Sequence, residues 1–212
     1  MNLTVNKPIT YLITEGVVNP ENFATASRKL LDHLRLAVDE GISMIQIREK
    51  SLPTRLLCDL ASNALGITTS SSTKLLINDR ADVAVAVGAD GVHLTANSLP
   101  ADVIRKKFSA SLIIGASVHS MNEAKLTAQQ GADFAVFAPV FGSPGKGEPK
   151  GIAMLAEICR VVKPFPILAL GGVDETNVEA ILDAGGDGFA AIRALNDLAS
   201  LRTMSKMLKD RR

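Results

Sequence analysis

Short apolar runs alternate along this chain with longer stretches in which leucine, valine and alanine return every third or fourth position. The first pattern predicts buried strands and the second amphipathic helices. The clearest unit runs from Lys74 to Leu94. An apolar strand (Leu75, Leu76, Ile77) ends in Asn78-Asp79-Arg80, and an alanine- and valine-rich turn and a half of helix follows. Gly88-Ala89-Asp90-Gly91 breaks that helix, and a second strand, Val92-His93-Leu94, begins. This is a complete βαβ step with polar groups gathered at the C-terminal end of its first strand.

The step repeats on both sides. Strands are expected at 10–13, 44–48, 75–77, 92–94, 112–115, 134–137, 167–170 and 189–192. Helices are expected between them, among others over 24–40, 53–66 and 152–162, with a last one over 195–208. Ser120-Met121-Asn122-Glu123 has capping-box spacing, Ser98 is placed to cap the helix that includes Asp102, and Asp174 the helix ending at Gly185. A phrase Gly-[Ala/Gly]-Asp precedes strands at 88–90, 131–133 and 185–187, and Gly41 holds the equivalent place before Met44. Eight strands alternating with eight helices predict a (β/α)₈ TIM barrel, an α/β fold, with residues 1–212 forming one domain. An open doubly wound sheet usually has fewer strands, and no Gly-x-Gly-x-x-Gly follows the first one.

Composition narrows the picture. Hydrophobic residues make up 47% of the 212, with no tryptophan and one tyrosine, so an aliphatic core is expected. A formal charge of +1 and the lack of a basic stripe point away from nucleic acid as a partner. No stretch is long and apolar enough to suggest a membrane span, and the start lacks the basic-then-apolar pattern of a secretion signal. Cys58 and Cys159 fall in separate helical segments and give no disulfide framework, so a reducing cytoplasm is expected.

A barrel places its chemistry at the C-terminal ends of its strands. At the second strand, Gln46, Arg48 and Lys50 alternate with Ile45, Ile47 and Glu49, which puts the long polar groups on one face. Two neighbouring cations repel unless an anion arrives. An anionic ligand is therefore the functional reading, and an ion pair with Glu49 or a neighbouring carboxylate the structural one. Asp79 could hold a divalent metal, cap the next helix or pair with Arg48. Ser117 and His119 follow the fifth strand without a carboxylate at relay spacing, His93 reads as a hydrogen-bonded structural histidine, and His33 takes no role.

The loop from Gly142 to Gly151 holds four glycines and two prolines and lacks the phosphate-loop pattern. Its Lys146 could close over a phosphate, or the loop could be a solvated linker. Gly171-Gly172 ends strand seven and Gly188 begins strand eight; loops after strands seven and eight of barrels often bind phosphate through backbone N–H groups, and Arg193 adds a forked donor. Two basic clusters at one mouth suggest two phosphorylated groups, or one long one.

These residues carry a family resemblance. Gln46-Ile47-Arg48-Glu49-Lys50, Asn78-Asp79-Arg80, Gly88 to Leu94, Gly115 to Ser120, Pro139-Val140-Phe141, Lys146, and Gly171-Gly172-Val173 with Asn177 are similar to stretches of the thiamine phosphate synthase and thiazole tautomerase superfamily, over almost the whole chain. The synthase branch implies transfer of an aminopyrimidine methyl group from its diphosphate to a thiazole phosphate. By position, Gln46, Arg48, Lys50, Asn78 and Lys146 would contact the pyrimidine diphosphate, with Ser117 near the pyrimidine or diphosphate. Gly172, Ile192 and Arg193 would lie at the thiazole phosphate, and Asp79 would ligate Mg²⁺. Arg48, Lys50 and Lys146 would then be the catalytic cations.

The chain departs from that pattern in three places. Ser98 stands where synthases normally carry a second metal aspartate, Ser143-Pro144-Gly145 replaces a threonine-rich run, and Arg193 replaces a serine. The tautomerase branch often carries a serine near position 98, but its catalytic histidine falls at Pro139, so that reading needs His119 or His93 as the proton carrier. A thiazole-phosphate isomerase and a phosphate-ligand binder without catalysis are the alternatives.

Overall fold

The eight apolar runs become eight parallel strands in a computed structural model of the protein, which describes residues 8–142 and 147–210. They are β1 (Ile9–Ile13), β2 (Met44–Ile47), β3 (Lys74–Asn78), β4 (Gly91–Leu94), β5 (Ile113–Val118), β6 (Phe134–Phe137), β7 (Ile167–Ala169) and β8 (Gly188–Ala191). Each pairs with the next and β8 returns to β1, pairing Tyr11 with Ala190, so the sheet closes into a barrel. Between and after them run α1 (Phe23–Asp39), α2 (Thr54–Thr68), α3 (Ala81–Val87), α4 (Ala101–Lys107), α5 (Met121–Gln129), α6 (Gly151–Val162), α7 (Val178–Asp183), α8 (Arg193–Asn196) and α9 (Leu198–Asp210). The (β/α)₈ TIM barrel expected from the pattern is the fold observed.

Strand alternation divides the core in two. Outward residues such as Leu12, Ile45, Ile77 and Phe189 pack on the helices with Leu34, Leu60, Leu155 and Ile181. Inward residues fill the barrel: Ile9, Tyr11, Ile13, Met44, Leu76, Ile113, Phe134, Val136, Leu168 and Ala190. The helix-facing layer is largely aliphatic, as the composition predicts. The few aromatic residues are nonetheless concentrated in the core, since Tyr11, Phe134, Phe137 and Phe189 are all fully buried. Gly115 makes room for this layer, because a Cβ there would lie 2.2 Å from the Phe134 ring.

The Gly-x-Asp phrase has a common mechanical role. Asp90, Asp133 and Asp187 each accept a hydrogen bond from a backbone N–H at the foot of the preceding strand: Leu75 at 2.9 Å, Ile114 at 2.8 Å and Ile167 at 2.9 Å. Ser43 does the same for β1, accepting from Thr10 N at 3.2 Å. The tie at β5 is reinforced by Arg105, whose Nη2 lies 2.7 Å from the fully buried Asp133.

Helix starts depart from the sequence reading where side chains found other partners. Ser120 does cap α5, accepting from Glu123 N at 3.2 Å. Ser98 does not cap α4, which begins after Pro100 with no side-chain cap. Asp174 binds Thr176, and α7 begins only after Asn177. The last helix is split at Asp197 into α8 and α9. None of the described helices is long and apolar enough to cross a membrane.

Candidate active site at the C-terminal mouth

The strand ends surround a cavity of about 650 Å³. Gln46, Arg48, Lys50, Asn78, Ser117, Gly172, Ile192 and Arg193 all line it, so eight residues singled out by sequence meet at one place. Lys146 lies outside the described residues, while its neighbour Gly147 lines the cavity. Asp79 does not line it. It borders an adjoining cavity of about 280 Å³ that shares Lys50 and Asn78 with the larger one.

The alternation argument needs one correction. Strand β2 ends at Ile47, so Arg48 and Lys50 reach the mouth from the turn beyond it and not along a strand face. The alternative, an ion pair with Glu49, is not formed. The buried Glu49 carboxylate instead accepts from Thr14 Oγ1 at 2.6 Å, Gly16 N at 3.1 Å and Val18 N at 2.8 Å. Among the described residues no carboxylate pairs with Arg48 or Lys50.

The cavity floor is polar but uncharged. Gln46, 1% exposed, donates through Nε2 to Tyr11 Oη at 2.8 Å, which leaves its carbonyl oxygen as the acceptor for a ligand. Burial raises the Tyr11 hydroxyl pKa well above its ordinary value, so it stays protonated. His93 Nε2 lies 3.0 Å from Ser117 Oγ, and its ring packs against Tyr11 and Phe134. Burial, helped by the nearby Arg48 charge, pushes His93 down to about 3, so it is neutral at ordinary pH. Its Nδ1 is buried with no hydrogen-bond partner. The structural role read for His93 therefore holds through one nitrogen only. Tyr11 was missed by sequence reasoning; its signal was the one tyrosine of the chain at an inward position of β1.

On the wall formed after β7 the backbone packs tightly against the loop after β6. Gly171 and Gly172 take φ of +99° and +62°, and a Cβ at Gly172 would lie 2.4 Å from the Gly142 carbonyl oxygen. Asn177 Nδ2 holds the Gly172 carbonyl at 2.8 Å. Pro139 lines the same wall and offers no titratable group. His119 lines the cavity too, with Nδ1 3.2 Å from Glu123 Oε2.

Asp79 sits in the left-handed region at φ +57° and neither caps α3 nor pairs with Arg48. Its carboxylate accepts a hydrogen bond from the Ser98 hydroxyl. No three His, Cys, Asp or Glu side chains cluster as a metal site among the described residues. The donors gathered here, Asp79, Ser98 and the neighbouring Asn78, are all oxygen-bearing. Such a set fits Mg²⁺ that draws the rest of its shell from phosphate and water, and it suits neither Zn²⁺ nor a softer metal.

Comparison with known proteins gives the site a family. The model of the thiamine monophosphate synthase family matches residues 11–195. A Geobacter sulfurreducens protein is 40% identical over 188 residues, covering 87% of this chain and 85% of its own. A thiamine-phosphate synthase of Methanoculleus marisnigri is 37% identical over 95% of this chain and 93% of its own. Among solved structures, a thiamine phosphate pyrophosphorylase from Pyrococcus furiosus superposes with a TM-score of 0.83 at 31% identity, covering 97% of both chains. A closed barrel with its polar groups and cations at the C-terminal mouth defines the class of (β/α)₈ proteins. Within that class, this chain belongs to the thiamine monophosphate synthase family.

Proposed function

We propose that this chain is a thiamine-phosphate synthase, a transferase that joins an aminopyrimidine methyl diphosphate to a thiazole phosphate and releases diphosphate. The observation that carries the reading is the pair Arg48 and Lys50, with no carboxylate partner among the described residues, on a cavity whose far wall is glycine backbone and Arg193. The named relatives support it.

In this reading the pyrimidine lies on the floor. The Gln46 carbonyl, fixed by Tyr11, accepts from its amino group, and Asn78 and Ser117 complete the recognition. Arg48 and Lys50 face the diphosphate, and Lys146 is assigned to it by sequence position alone. The carbon–oxygen bond to the pyrimidine methylene breaks, and the diphosphate leaves with the electron pair. The thiazole nitrogen then donates its lone pair to the methylene carbon, forming the new carbon–nitrogen bond. The fixed cations offset charge where it develops on the leaving group. Gly172, Ile192 and Arg193 hold the thiazole phosphate. Asp79, with Ser98, would hold Mg²⁺, which when bound supplies Lewis-acid neutralisation of the diphosphate. The neutral floor suits the reaction, because it calls for no proton transfer from His93. The tautomerase reading needs a proton carrier where this chain has Pro139.

The test is direct. Incubation of the protein with both phosphorylated substrates and Mg²⁺ is expected to yield thiamine phosphate and one diphosphate per product. Chelation of the metal should stop it, and Arg48→Ala should lower kcat/KM by about 100-fold or more. Absence of product with excess metal would sink the proposal.

A further inference from the structure

Glu49 lies between Arg48 and Lys50 in sequence, yet only 3% of it is exposed, whereas the cations on either side reach the mouth. We propose that Glu49 is a positioning residue for the diphosphate end of the site, acting through the backbone it anchors. The inference rests on the reading of Arg48 and Lys50 as diphosphate contacts.

The anchoring is a closed circuit. Thr14, fully buried, donates to Glu49 Oε1 at 2.6 Å and with the same oxygen accepts from Arg48 N at 2.8 Å. Gly16 N and Val18 N complete the grip on the carboxylate at 3.1 and 2.8 Å. Beyond it, Leu52 N donates to the Glu49 carbonyl at 3.2 Å, fixing the turn that carries Lys50. The loop after β1 thus wraps the carboxylate and pins the chain on both sides of it. Gly16 takes φ +83°, and a Cβ there would stand 3.2 Å from the Arg48 carbonyl oxygen, so the loop and the Arg48 backbone are in close contact.

This answers why two cations beyond the end of a strand still reach one cavity. With β2 ended at Ile47, strand geometry no longer directs them. A buried charge needs full hydrogen bonding, and three donors aimed at one carboxylate leave it little freedom. A carboxamide of the same shape cannot satisfy those donors. One of its ends is itself a donor and must face Val18 N or the Thr14–Gly16 pair.

The test compares wild type, Glu49→Gln and Thr14→Val. Affinity for inorganic diphosphate with Mg²⁺ is measured by calorimetry, stability by urea midpoint, and KM for each substrate by turnover. Glu49→Gln is expected to weaken diphosphate binding and raise the pyrimidine diphosphate KM by about tenfold. Thr14→Val should do the same by about threefold, and both should leave the thiazole phosphate KM within about twofold. A lowered urea midpoint with unchanged diphosphate affinity in both variants would make the role structural alone and overturn the proposal. If Glu49→Gln does not fold, Thr14→Val decides by the same criterion. Wild type that binds diphosphate without turnover ends the synthase reading while the affinity ratios still test Glu49; wild type that binds none ends both.

Discussion

Ser98 and Asp79 share a hydrogen bond at the edge of the mouth, so a carboxylate in place of that hydroxyl would stand beside Asp79, within reach of any cation that Asp79 held. A hydroxyl contributes no charge, and Mg²⁺ affinity rises with the number of carboxylates around it. Ser98→Asp is therefore expected to lower the Mg²⁺ concentration for half-maximal activity by about tenfold. Calorimetric titration of Mg²⁺ in the presence of diphosphate gives the same comparison without turnover, and unchanged affinity would show that position 98 lies off the metal. Residue types were legible from sequence here, but partners were not. Asp79 could be read as cap, ion pair or ligand, because nothing in a linear chain shows that Ser98 crosses from the next strand end to meet it. A pairing of Glu49 with its neighbours stayed open as the structural alternative for the same reason. The real donors to Glu49 lie more than 30 positions away in the loop after β1.

At the scale of elements, strands read well because four or five consecutive apolar residues in this barrel face either its interior or its helices. Helix starts read poorly. A serine or aspartate near a start signals a cap only if no stronger partner is in reach, and Ser98 had Asp79 while Asp174 had Thr176. The polar stretch from Thr68 to Thr73 is held by Thr73 Oγ1 on the Ile42 carbonyl at 2.7 Å. The foot ties make a prediction about stability. Asp133 is fully buried and serves both Ile114 N and Arg105. Asp133→Ala leaves that N–H and a largely buried guanidinium without it, and is expected to destabilise by about 2–3 kcal/mol. The pair of Lys74 with Asp90, about a third exposed (32% and 27%), should matter less. Urea unfolding of both alanine variants checks the order, and a larger loss at Asp90 would refute it.

For the molecule as a whole, the (β/α)₈ closure was legible in the count and order of strands, since successive right-handed crossovers in one direction keep every helix on the same side of the sheet. What fills the barrel was less so. The expectation of an aliphatic core missed the Tyr11, Phe134 and His93 layer, because inward and outward positions cannot be told apart when both are buried. That layer links pH to global stability. His93 is held neutral in the fold, down to about 3, but its ordinary value is 6.5. Above pH 6.5 both states carry neutral imidazole and nothing is lost. Between 6.5 and about 3 the unfolded chain takes up a proton that the native state refuses, so stability falls with pH by up to about 1.4 kcal/mol per unit from this group. Replacing His93 by Asn should flatten that limb, read as the difference in urea midpoint between pH 7 and pH 5. An identical slope in the variant would remove His93 as its source.

The ties at the foot of the barrel also divide the cylinder in an unequal way. Ser43 stitches β2 to β1, Asp90 β4 to β3, Asp133 β6 to β5 and Asp187 β8 to β7. The junctions between these pairs are not bare: Thr73 ties β3 to β2 through the Ile42 carbonyl, and the Asp90 and Asp187 carbonyls accept from Ile113 N and Ile9 N across β4–β5 and β8–β1. A break between β4 and β5 nonetheless spares every one of these side-chain ties, whereas one between β5 and β6 severs the most deeply buried of them. A split version of this chain therefore has its natural seam after β4.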